Sequence, residues 1–349
     1  MRNTQYLYFL YYDPETKGKK EIYCGPVTEA AARQRARELE REFLKKQLTT
    51  IQQQLRELDE QGLVESEQPA CRPFVKWAGG KSQLLAKMEP VFPKAFKRYY
   101  EPFLGSGSVF FYLTSTRPKF QATISDNNRD LINAYEVIRD RVEGFINQLS
   151  SRQSEFSKLS KKEKAEFYNK VRSEPPSFEE GVERAKWFVF LNKTCYNGLY
   201  RVNQSGGFNV PYGDHNKVRL FNAENLRAMS KLMNRQGMKL MRASYEKALT
   251  DADRGDFCYL DPPYYPAVEN GFTSYTPEAF HKEDHEKLSK VVDELTQRGC
   301  MVLVSNSAIR KVRELYEGYS IKEIDALRAI NSDKMGRKGT KELLIRNYG

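Results

Sequence analysis

Apolar and polar positions divide the chain into a short N-terminal segment and a longer part that begins near Pro73. The apolar run 6–12, a turn-like stretch and the return 21–24 predict a β-hairpin. Apolar residues then recur at spacings of four, three, four and three, which predicts one stripe on a long charged helix ending near Gly62. The stripe consists of Leu44, Leu48, Ile51, Leu55 and Leu58. We expect it to dock on the main domain or to pair weakly with a partner, and the polar stretch 65–72 to be a linker.

From Pro73 onward, strand-like and helix-like patterns alternate. Apolar runs typical of strands occur at 98–103, 121–125, 256–260, 301–305 and 341–348, and the stretch 280–298 has the spacing of an amphipathic helix. This alternation predicts an α/β sheet covered by helices. Between residues 151 and 221 the pattern changes to a charged helical part and then a loop rich in Gly, Asn and Tyr. We therefore predict an accessory segment at 1–72, an α/β domain at 73–150 and 222–349, and a mostly helical insert at 151–221.

A glycine turn follows the first strand-like run of the α/β domain. Gly105 and Gly107 come after the run 98–103, and Asp126 ends the next predicted strand roughly 20 residues further on. In this layout the glycines let a ligand approach the backbone, while the acid binds ribose hydroxyls. The third glycine of the dinucleotide fingerprint is replaced by Phe110, which favours other adenosine-bearing ligands over NAD. An ordinary strand-to-helix turn remains the alternative.

A second glycine segment, from Trp77 to Ser82, ends in Gly-Lys-Ser as phosphate-binding loops do. The position that a phosphate-binding loop reserves for its first glycine holds Val75, so the backbone cradle for nucleotide phosphates is not encoded. Gly79 and Gly80, beside Trp77 and Lys81, remain compatible with the wall of a pocket for an anionic group.

The most specific signal is the tetrapeptide Asp261-Pro262-Pro263-Tyr264, which directly follows the apolar run 257–260. Two prolines end the hydrogen-bonded ladder of a strand and fix the backbone. Asp261 is therefore expected at a strand end, where α/β folds bind their ligands. The alternative is a rigid turn with an incidental acid and aromatic residue.

Charge then narrows the class of partner. Among 349 residues, 57 are Lys or Arg and 46 are Asp or Glu, and the resulting charge of +11 favours nucleic acid or an anionic membrane surface. No apolar run approaches the ~18–20 residues that cross a bilayer, and the N-terminus lacks the pattern of a signal peptide. We expect a cytoplasmic protein that acts on no membrane.

Cysteine and histidine spacing argues against a metal site and against a disulfide framework. The five cysteines are scattered, with no pair two residues apart, so we interpret them as reduced packing residues. His281 and His285 stand four apart, but no third ligand lies near them in sequence. We interpret both as solvated helix residues and predict no bound metal.

Taken together, these motifs resemble the Dam-like branch (D12 class, alpha-group) of the S-adenosylmethionine-dependent DNA adenine methyltransferases. The resemblance rests on the segment 101–107 (Glu-Pro-Phe-Leu-Gly-Ser-Gly), on Asp126 and on the tetrapeptide 261–264, with further matches at 74–81, 192–213 and 302–306. It covers nearly all of 73–349, with the motifs in the order of the family, and it leaves residues 1–72 unassigned. It implies a Rossmann-like sheet with a target-recognition insert at 151–221.

The family's activity implies what the tetrapeptide would do. S-adenosylmethionine would donate a methyl group to the exocyclic N6 amine of an adenine flipped out of duplex DNA, by direct in-line transfer. Asp261 and the Pro262 carbonyl would accept hydrogen bonds from that amine, Pro263 would help to fix the turn, and Tyr264 would stack on the base. The resemblance also implies a cofactor-binding set of Trp77, Lys81, Phe103, Gly105, Gly107, Asp126 and Asp261.

The insert would contact the DNA. Its loop region 192–221 holds four Lys or Arg against one acid, interleaved with aromatic residues, which suits phosphate neutralisation and base stacking. By resemblance, Tyr196 and Asn197 would wedge the duplex, Arg201 would read a guanine edge and Leu199 would touch a thymine methyl. Lys76, which would reach the outer guanine, and Pro211 complete the implied DNA-binding set. These matches favour a GATC-like palindrome.

Rival functions differ in how well the sequence supports them. A cytosine-C5 methyltransferase needs a Pro-Cys nucleophile, and none of the five cysteines follows a proline. A cytosine-N4 or RNA-directed amino-methyltransferase stays open, as does a catalytically silent DNA-binding module. We expect an enzyme that acts as a monomer, and we leave open a restriction-modification system in which a cognate restriction endonuclease would be its functional partner.

Overall fold

The computed structural model describes residues 5–13, 18–60, 71–117, 119–203, 205–215, 217–265, 280–326 and 340–349. They form two units, Met1–Glu67 and Gln68–Gly349. The predicted linker 65–72 lies almost entirely outside the described residues, as do the tip of the predicted hairpin and the side chains of Leu55 and Leu58.

The first unit is a hairpin with one long helix, as the apolar pattern predicts. Strands β1 (Tyr6–Asp13) and β2 (Gly18–Pro26) are antiparallel, and helix α1 spans Ala30–Glu60. Phe9 and Tyr11 of β1 pack on Phe43 of α1, with ring centroids 5.9 and 5.4 Å apart. The stripe residues Leu44, Leu48 and Ile51 remain more than half exposed.

The second unit alternates strands and helices. Its strands are β3 (Arg98–Glu101), β4 (Gln121–Asp126), β5 (Met238–Arg242), β6 (Phe257–Leu260), β7 (Met301–Ser307), β8 (Ser320–Ala326) and β9 (Thr340–Arg346). Its α-helices are α2 (Leu85–Met88), α3 (Ser108–Thr116), α4 (Arg129–Ser157), α5 (Lys161–Ser173), α6 (Gly181–Thr194), α7 (Ala223–Met233), α8 (Tyr245–Ala248), α9 (Lys282–Gln297) and α10 (Arg310–Leu315). Short 3-10 helices span Lys81–Gln83, Glu89–Val91 and Tyr196–Gly198.

These seven strands form one sheet in the order β5-β4-β3-β6-β7-β9-β8. All neighbours are parallel except β9, which runs antiparallel to both β7 and β8. The chain moves outward from β3 in one direction and from β6 in the other, so the order reverses between β3 and β6. In open α/β sheets this switch point is where ligands bind, at the carboxyl ends of the strands. The predicted α/β class is confirmed, with a mostly parallel sheet of the Rossmann-like kind.

The insert region packs as helices followed by an irregular loop. Helices α5 and α6 precede residues 195–221, where two isolated bridges pair Cys195 with Tyr212 and Val202 with Phe208. Asp130, at the start of α4, accepts hydrogen bonds from the buried Arg184 of α6 at 2.6 and 3.2 Å and from the Tyr200 hydroxyl at 2.7 Å. Helix α4 runs through the boundary predicted at residues 150 and 151, and the three-part domain division stays a prediction.

Candidate active site

Two loops meet at the carboxyl edge of the sheet, where the strand order reverses. β3 and β6 are parallel neighbours, with Tyr99 opposite Phe257, and a cleft of about 1250 Å³ opens beyond their ends. Pockets for one small ligand usually measure about 300–1,000 Å³, so this cleft has room for more than one. The sequence-predicted residues that line it are Lys76, Trp77, Lys81, Phe103, Gly105, Asp126, Tyr196, Asn197, Leu199, Asp261, Pro262, Pro263 and Tyr264. Gly107, Arg201 and Pro211 lie outside its lining.

The glycine turn after β3 is shaped by close packing. Gly105 and Gly107 have φ of 49° and 71°, in the left-handed region that favours glycine. A Cβ on Gly105 would lie 2.7 Å from Cδ1 of Trp77, so the indole packs directly against the turn. Trp77 in turn stacks on Tyr200 of the insert, with ring centroids 5.6 Å apart. The upstream Trp-Ala-Gly-Gly-Lys element, the glycine turn and the insert therefore meet on one wall of the cleft.

Asp126, the last residue of β4, is tied to the glycine turn. Its Oδ2 accepts from the Gly105 amide and its Oδ1 from the Asn128 amide, each at 2.9 Å. Burial raises the pKa of Asp126, while these backbone hydrogen bonds oppose the shift. The Asn127 amide adds a third backbone hydrogen bond. Because a carboxylate offers about four acceptor positions, one remains for a ligand in the cleft.

The buried Lys81 and the partly buried Asp261 form an ion pair in the lining of the cleft. Lys81 is only 2% exposed, and its Nζ lies 2.6 Å from Oδ2 of Asp261. Burial raises the pKa of Asp261 to about 6, although the Lys81 charge opposes this shift. Oδ1 of Asp261 is also buried, and within the described part of the chain it has no hydrogen-bond partner. Asp261 therefore keeps one oxygen, Oδ1, that Lys81 does not engage.

Tyr264 and Tyr265 are held by the strands next to β6. The Tyr264 hydroxyl donates to Glu342 of β9 at 2.7 Å, and Lys81 Nζ lies 5.0 Å from the centre of the Tyr264 ring. The Tyr265 amide donates to Oδ1 of Asn306 at 3.0 Å, close to the end of β7. The tetrapeptide is thus held through the Tyr264 side chain and through the backbone of Tyr265, the residue that follows it.

Phe103 belongs to an aromatic cluster that lines the cleft. Its ring stacks on Tyr245, with centroids 5.5 Å apart, and meets Phe280 edge to face at 6.0 Å. All three residues line the cleft. This cluster can accept a flat, apolar ligand group.

The predicted DNA-binding residues form two groups, one that lines the cleft and one within the insert loop. The backbone of Lys76 exchanges hydrogen bonds with the Asn192 side chain at 2.9 and 2.7 Å. Tyr196 is 43% exposed at the cleft, and Asn197 has a left-handed backbone with φ of 55°. Lys76, Tyr196, Asn197 and Leu199 thus share the rim of the cleft.

Arg201 and Pro211 lie within the insert loop. Arg201 donates from Nε to Oδ1 of Asn209 at 2.6 Å and from Nη2 to the Asn209 carbonyl at 3.1 Å. The Pro211 carbonyl accepts from the Tyr196 amide at 2.9 Å. The two residues therefore support the loop that carries Tyr196.

Comparison with protein families decides the class of this cleft. The sequence model of the family described as D12 class N6 adenine-specific DNA methyltransferase matches residues 77–330, which is well over half of the chain. The chain belongs to this family. The predicted adenine-specific DNA methyltransferase is confirmed, and Lys81, Asp126 and Asp261 all lie within the matched range.

Several methyltransferases are similar to this one along nearly their whole length. The Type II methyltransferase M.MjaIII of Methanocaldococcus jannaschii is 42% identical over 288 residues, which cover 79% of this chain and 99% of the relative. The Type II methyltransferase M1.LlaDCHI of Lactococcus lactis subsp. cremoris is 36% identical over 295 residues, 82% of this chain and 99% of its own. The DNA adenine methylase of Escherichia coli K12 is 32% identical over 274 residues, 78% and 94% of the two chains.

Two acidic residues of the methyltransferase cleft received no role from sequence reasoning. Glu101 is 2% exposed, accepts from the Tyr99 hydroxyl at 2.8 Å, and has its pKa raised to about 8 by burial. Glu342 is distant from the other cleft residues in sequence. It lines the cleft because the strand order places β9 next to β7, two positions from β6. The one sequence signal for either is a charged residue inside an apolar strand.

The histidine prediction is partly wrong. His281 is exposed where α9 begins, but His285 is 1% exposed and packs against Tyr265 and Phe280, with ring centroids 4.9 and 4.7 Å apart. Burial lowers the pKa of His285 to about 4. Helix periodicity turns this position toward the sheet, one turn before Leu288.

Across the described ranges, no group of three or more His, Cys, Asp or Glu side chains could hold a metal, and no helix is long and apolar enough to cross a bilayer.

Proposed function

We propose that this methyltransferase moves the methyl group of S-adenosylmethionine to N6 of an adenine flipped out of duplex DNA, within a GATC-like palindrome. The observation that carries the proposal is Asp261. Lys81 holds its Oδ2 at 2.6 Å, its buried Oδ1 has no hydrogen-bond partner among the described residues, and Pro262 is the next residue along the chain. The site thus offers a fixed carboxylate oxygen together with a backbone carbonyl.

An adenine amine requires this pair of acceptors. The amine is a poor nucleophile because its lone pair is delocalised into the ring. Acceptance of its two N–H groups by Asp261 and by the Pro262 carbonyl favours the pyramidal geometry in which the lone pair can attack. Proline has no N–H that would compete for the acceptors. No covalent enzyme intermediate is required.

The cleft suits a cationic cofactor. S-adenosylmethionine supplies an electrophilic methyl group on a positively charged sulfur and also carries an ammonium group. Among the lining residues, acids outnumber Lys and Arg; the acids are Glu101, Asp126, Glu246, Asp261, Asp284 and Glu342. Asp126 would accept from the ribose hydroxyls with its remaining acceptor position. Trp77, Lys81, Phe103, Gly105 and Gly107 would shape the walls of the cofactor pocket.

The remaining space suits an extruded base. A cleft of about 1250 Å³ exceeds what one ligand of drug size occupies, so it can hold the cofactor and an adenine together. Tyr264, fixed at its hydroxyl, would stack on the base and offset part of the cost of unstacking, by ~1–3 kcal/mol.

The rim residues would recognise the duplex. The exposed Tyr196 and the left-handed Asn197 would wedge into the gap left by the flipped base. Arg201 would read guanine through Nη1 and the second N–H of Nη2, because Asn209 already engages Nε and one N–H of Nη2. Leu199 would touch a thymine methyl and Lys76 the outer guanine, while Pro211 would support the loop.

The cellular setting is part of the proposal. Two of the similar proteins are Type II methyltransferases, at 42% and 36% identity, and this favours a restriction-modification system with a cognate restriction endonuclease. We place the protein in the cytoplasm, acting on DNA as a monomer. The division into a segment 1–72, a catalytic domain 73–150 and 222–349, and a target-recognition insert 151–221 belongs to the same proposal.

A panel of duplexes tests the specificity. Each contains GATC or a variant with one base pair changed, and transfer from labelled S-adenosylmethionine is measured, with a structured RNA alongside. Transfer restricted to GATC is expected, whereas equal transfer to all duplexes or to RNA would refute the specificity.

Replacement of the target adenine by 2-aminopurine should raise fluorescence on binding as the base leaves the stack. Asp261→Ala should bind the duplex and transfer nothing; near-normal turnover would remove Asp261 from the mechanism.

A further inference from the structure

Glu342 is an unusual residue for its place in the sheet. It lies on β9, between β7 and β8, and is followed by the buried Leu343, Leu344 and Ile345. Its own exposure is 7%. Burial of a carboxylate is costly unless hydrogen bonds or charges compensate it, and no Lys or Arg of the described residues forms an ion pair with Glu342. A carboxylate at this position therefore needs a hydrogen-bond donor.

Its partner is the tyrosine of the tetrapeptide. The Tyr264 hydroxyl donates to Oε2 of Glu342 at 2.7 Å, the distance of a strong charge-assisted hydrogen bond. Lys81 Nζ lies 5.0 Å from the centre of the same ring, and Lys81 also pairs with Asp261. The ring of Tyr264 is therefore fixed at its tip by Glu342 and approached by a cation that is itself fixed.

We propose that Glu342 is a positioning residue for methyl transfer, which holds the Tyr264 ring in the orientation that the extruded adenine stacks on. The inference rests on the proposed function, because it assumes that a flipped base meets Tyr264. The last torsion of a tyrosine ring is broad and roughly two-fold. Because the phenolic O–H prefers the plane of the ring, a hydrogen bond to a fixed acceptor favours the ring plane that contains that acceptor.

The position of β9 makes this arrangement feasible. Glu342 pairs with Ser307 of β7 and with Ile324 of β8, so the strand is braced on both sides. The residues that hold the Tyr265 backbone also come from β7, through Asn306. The sheet thus orients this loop from two strands, because β7 holds the Tyr265 backbone and β9 holds the Tyr264 hydroxyl.

The test is a double-mutant cycle with Glu342→Gln and Tyr264→Phe, measured as single-turnover methyl transfer to a GATC duplex. Each single variant should lose about tenfold in rate, since each weakens one hydrogen bond to a charged group. If Glu342 acts through the hydroxyl, the double variant should be no slower than Tyr264→Phe alone. Multiplication of the two losses would overturn the proposal.

A second measurement separates positioning from mere folding. Binding is compared for a duplex with the target adenine and for one with an abasic site at that position. Both single variants should weaken binding of the adenine duplex and leave the abasic duplex unchanged, whereas an equal loss on both would overturn the proposal. Glu323→Gln is the matched control, since Glu323 is a carboxylate on β8 that pairs with Lys341 and Arg313 at the surface; it should behave as wild type.

The design separates this inference from the proposed function. Failure of the wild-type enzyme to methylate the GATC duplex would refute the proposed function and the inference with it. A wild-type enzyme that methylates normally, beside a Glu342→Gln variant of unchanged rate, would refute the inference alone. If Glu342→Gln does not fold, Tyr264→Phe decides, because its rate should still fall about tenfold on the adenine duplex.

Discussion

The carboxylate of Asp261 is subject to opposing influences. Burial and the nearby Glu342 raise its pKa, the Lys81 charge and hydrogen bond lower it, and the result is a pKa of about 6. Tyr259, Tyr264 and Glu101 also face this group. Asp261 is therefore mostly ionised at neutral pH and becomes protonated under mildly acidic conditions.

This balance predicts how the chemical step depends on pH. A protonated Asp261 is a weaker acceptor for the amine, so the single-turnover rate should fall as the pH drops through about 6. Glu342→Gln removes a like charge and should shift this acidic fall in rate, the acid limb of the pH profile, to lower pH. Lys81→Met removes the opposing cation and should move it to higher pH, measured at saturating cofactor. An acid limb that is absent, or that neither variant moves, would show that Asp261 does not control the step.

Arg201 gives a second prediction at the residue scale. A bidentate guanine contact is worth ~1–3 kcal/mol of discrimination, so Arg201→Ala should narrow the difference in kcat/KM between GATC and duplexes altered at that guanine. Lys217→Ala, an exposed cation of the same loop, serves as the control and should weaken all duplexes alike. Uniform loss in Arg201→Ala would identify it as a phosphate contact.

Among the elements, the insert is joined to helix α4 by a buried polar network, in addition to its apolar packing on the core. Asp130 of α4 binds Arg184 of α6 and the hydroxyl of Tyr200, and Tyr200 stacks on Trp77 beside the glycine turn. The network thus joins the DNA-recognition loop to the wall of the cofactor pocket. Removal of one partner leaves the others buried and unpaired.

Asp130→Ala should therefore destabilise the protein by about 3–5 kcal/mol, which urea denaturation can measure. The control is Glu143→Ala, on the same helix as Asp130, which breaks an exposed ion pair with Arg227 of α7 and should leave the urea midpoint unchanged. Similar midpoints for the two variants would mean that the network does not attach the insert.

Sequence patterns predicted the elements unevenly, for physical reasons. The fully buried β6 and the long amphipathic α9 gave strong periodic signals and were predicted within two residues. β5 and β8 were not predicted, because they form the two edges of the sheet and are partly exposed, without a continuous apolar run. The tetrapeptide and glycine turn carry local signatures, whereas Glu342 joins the site only through the order of the strands.

The charge of the whole molecule is divided unequally between its two units. Residues 1–67 contain 11 Lys and Arg against 12 Asp and Glu, whereas residues 68–349 contain 46 against 34. The excess that favours a polyanion therefore belongs entirely to the unit that holds the cleft. The N-terminal unit offers an exposed apolar stripe instead of positive charge.

Deletion of residues 1–67 should consequently leave the salt dependence of DNA binding unchanged. The slope of log affinity against log salt counts the phosphates that the protein neutralises, at about 0.9 per contact for duplex DNA. The truncated and full-length proteins are compared over the same salt range. A shallower slope in the truncated protein would assign phosphate contacts to the hairpin or to α1.

The identity of the methylated nucleoside tests the central claim most directly. A GATC duplex is incubated with methyl-labelled S-adenosylmethionine and either the wild-type protein or Asp261→Ala, then digested to nucleosides and separated. With the wild-type protein, all label should appear in N6-methyldeoxyadenosine. With Asp261→Ala, no nucleoside should be labelled. Label in cytosine, or no label in any nucleoside, would contradict the account.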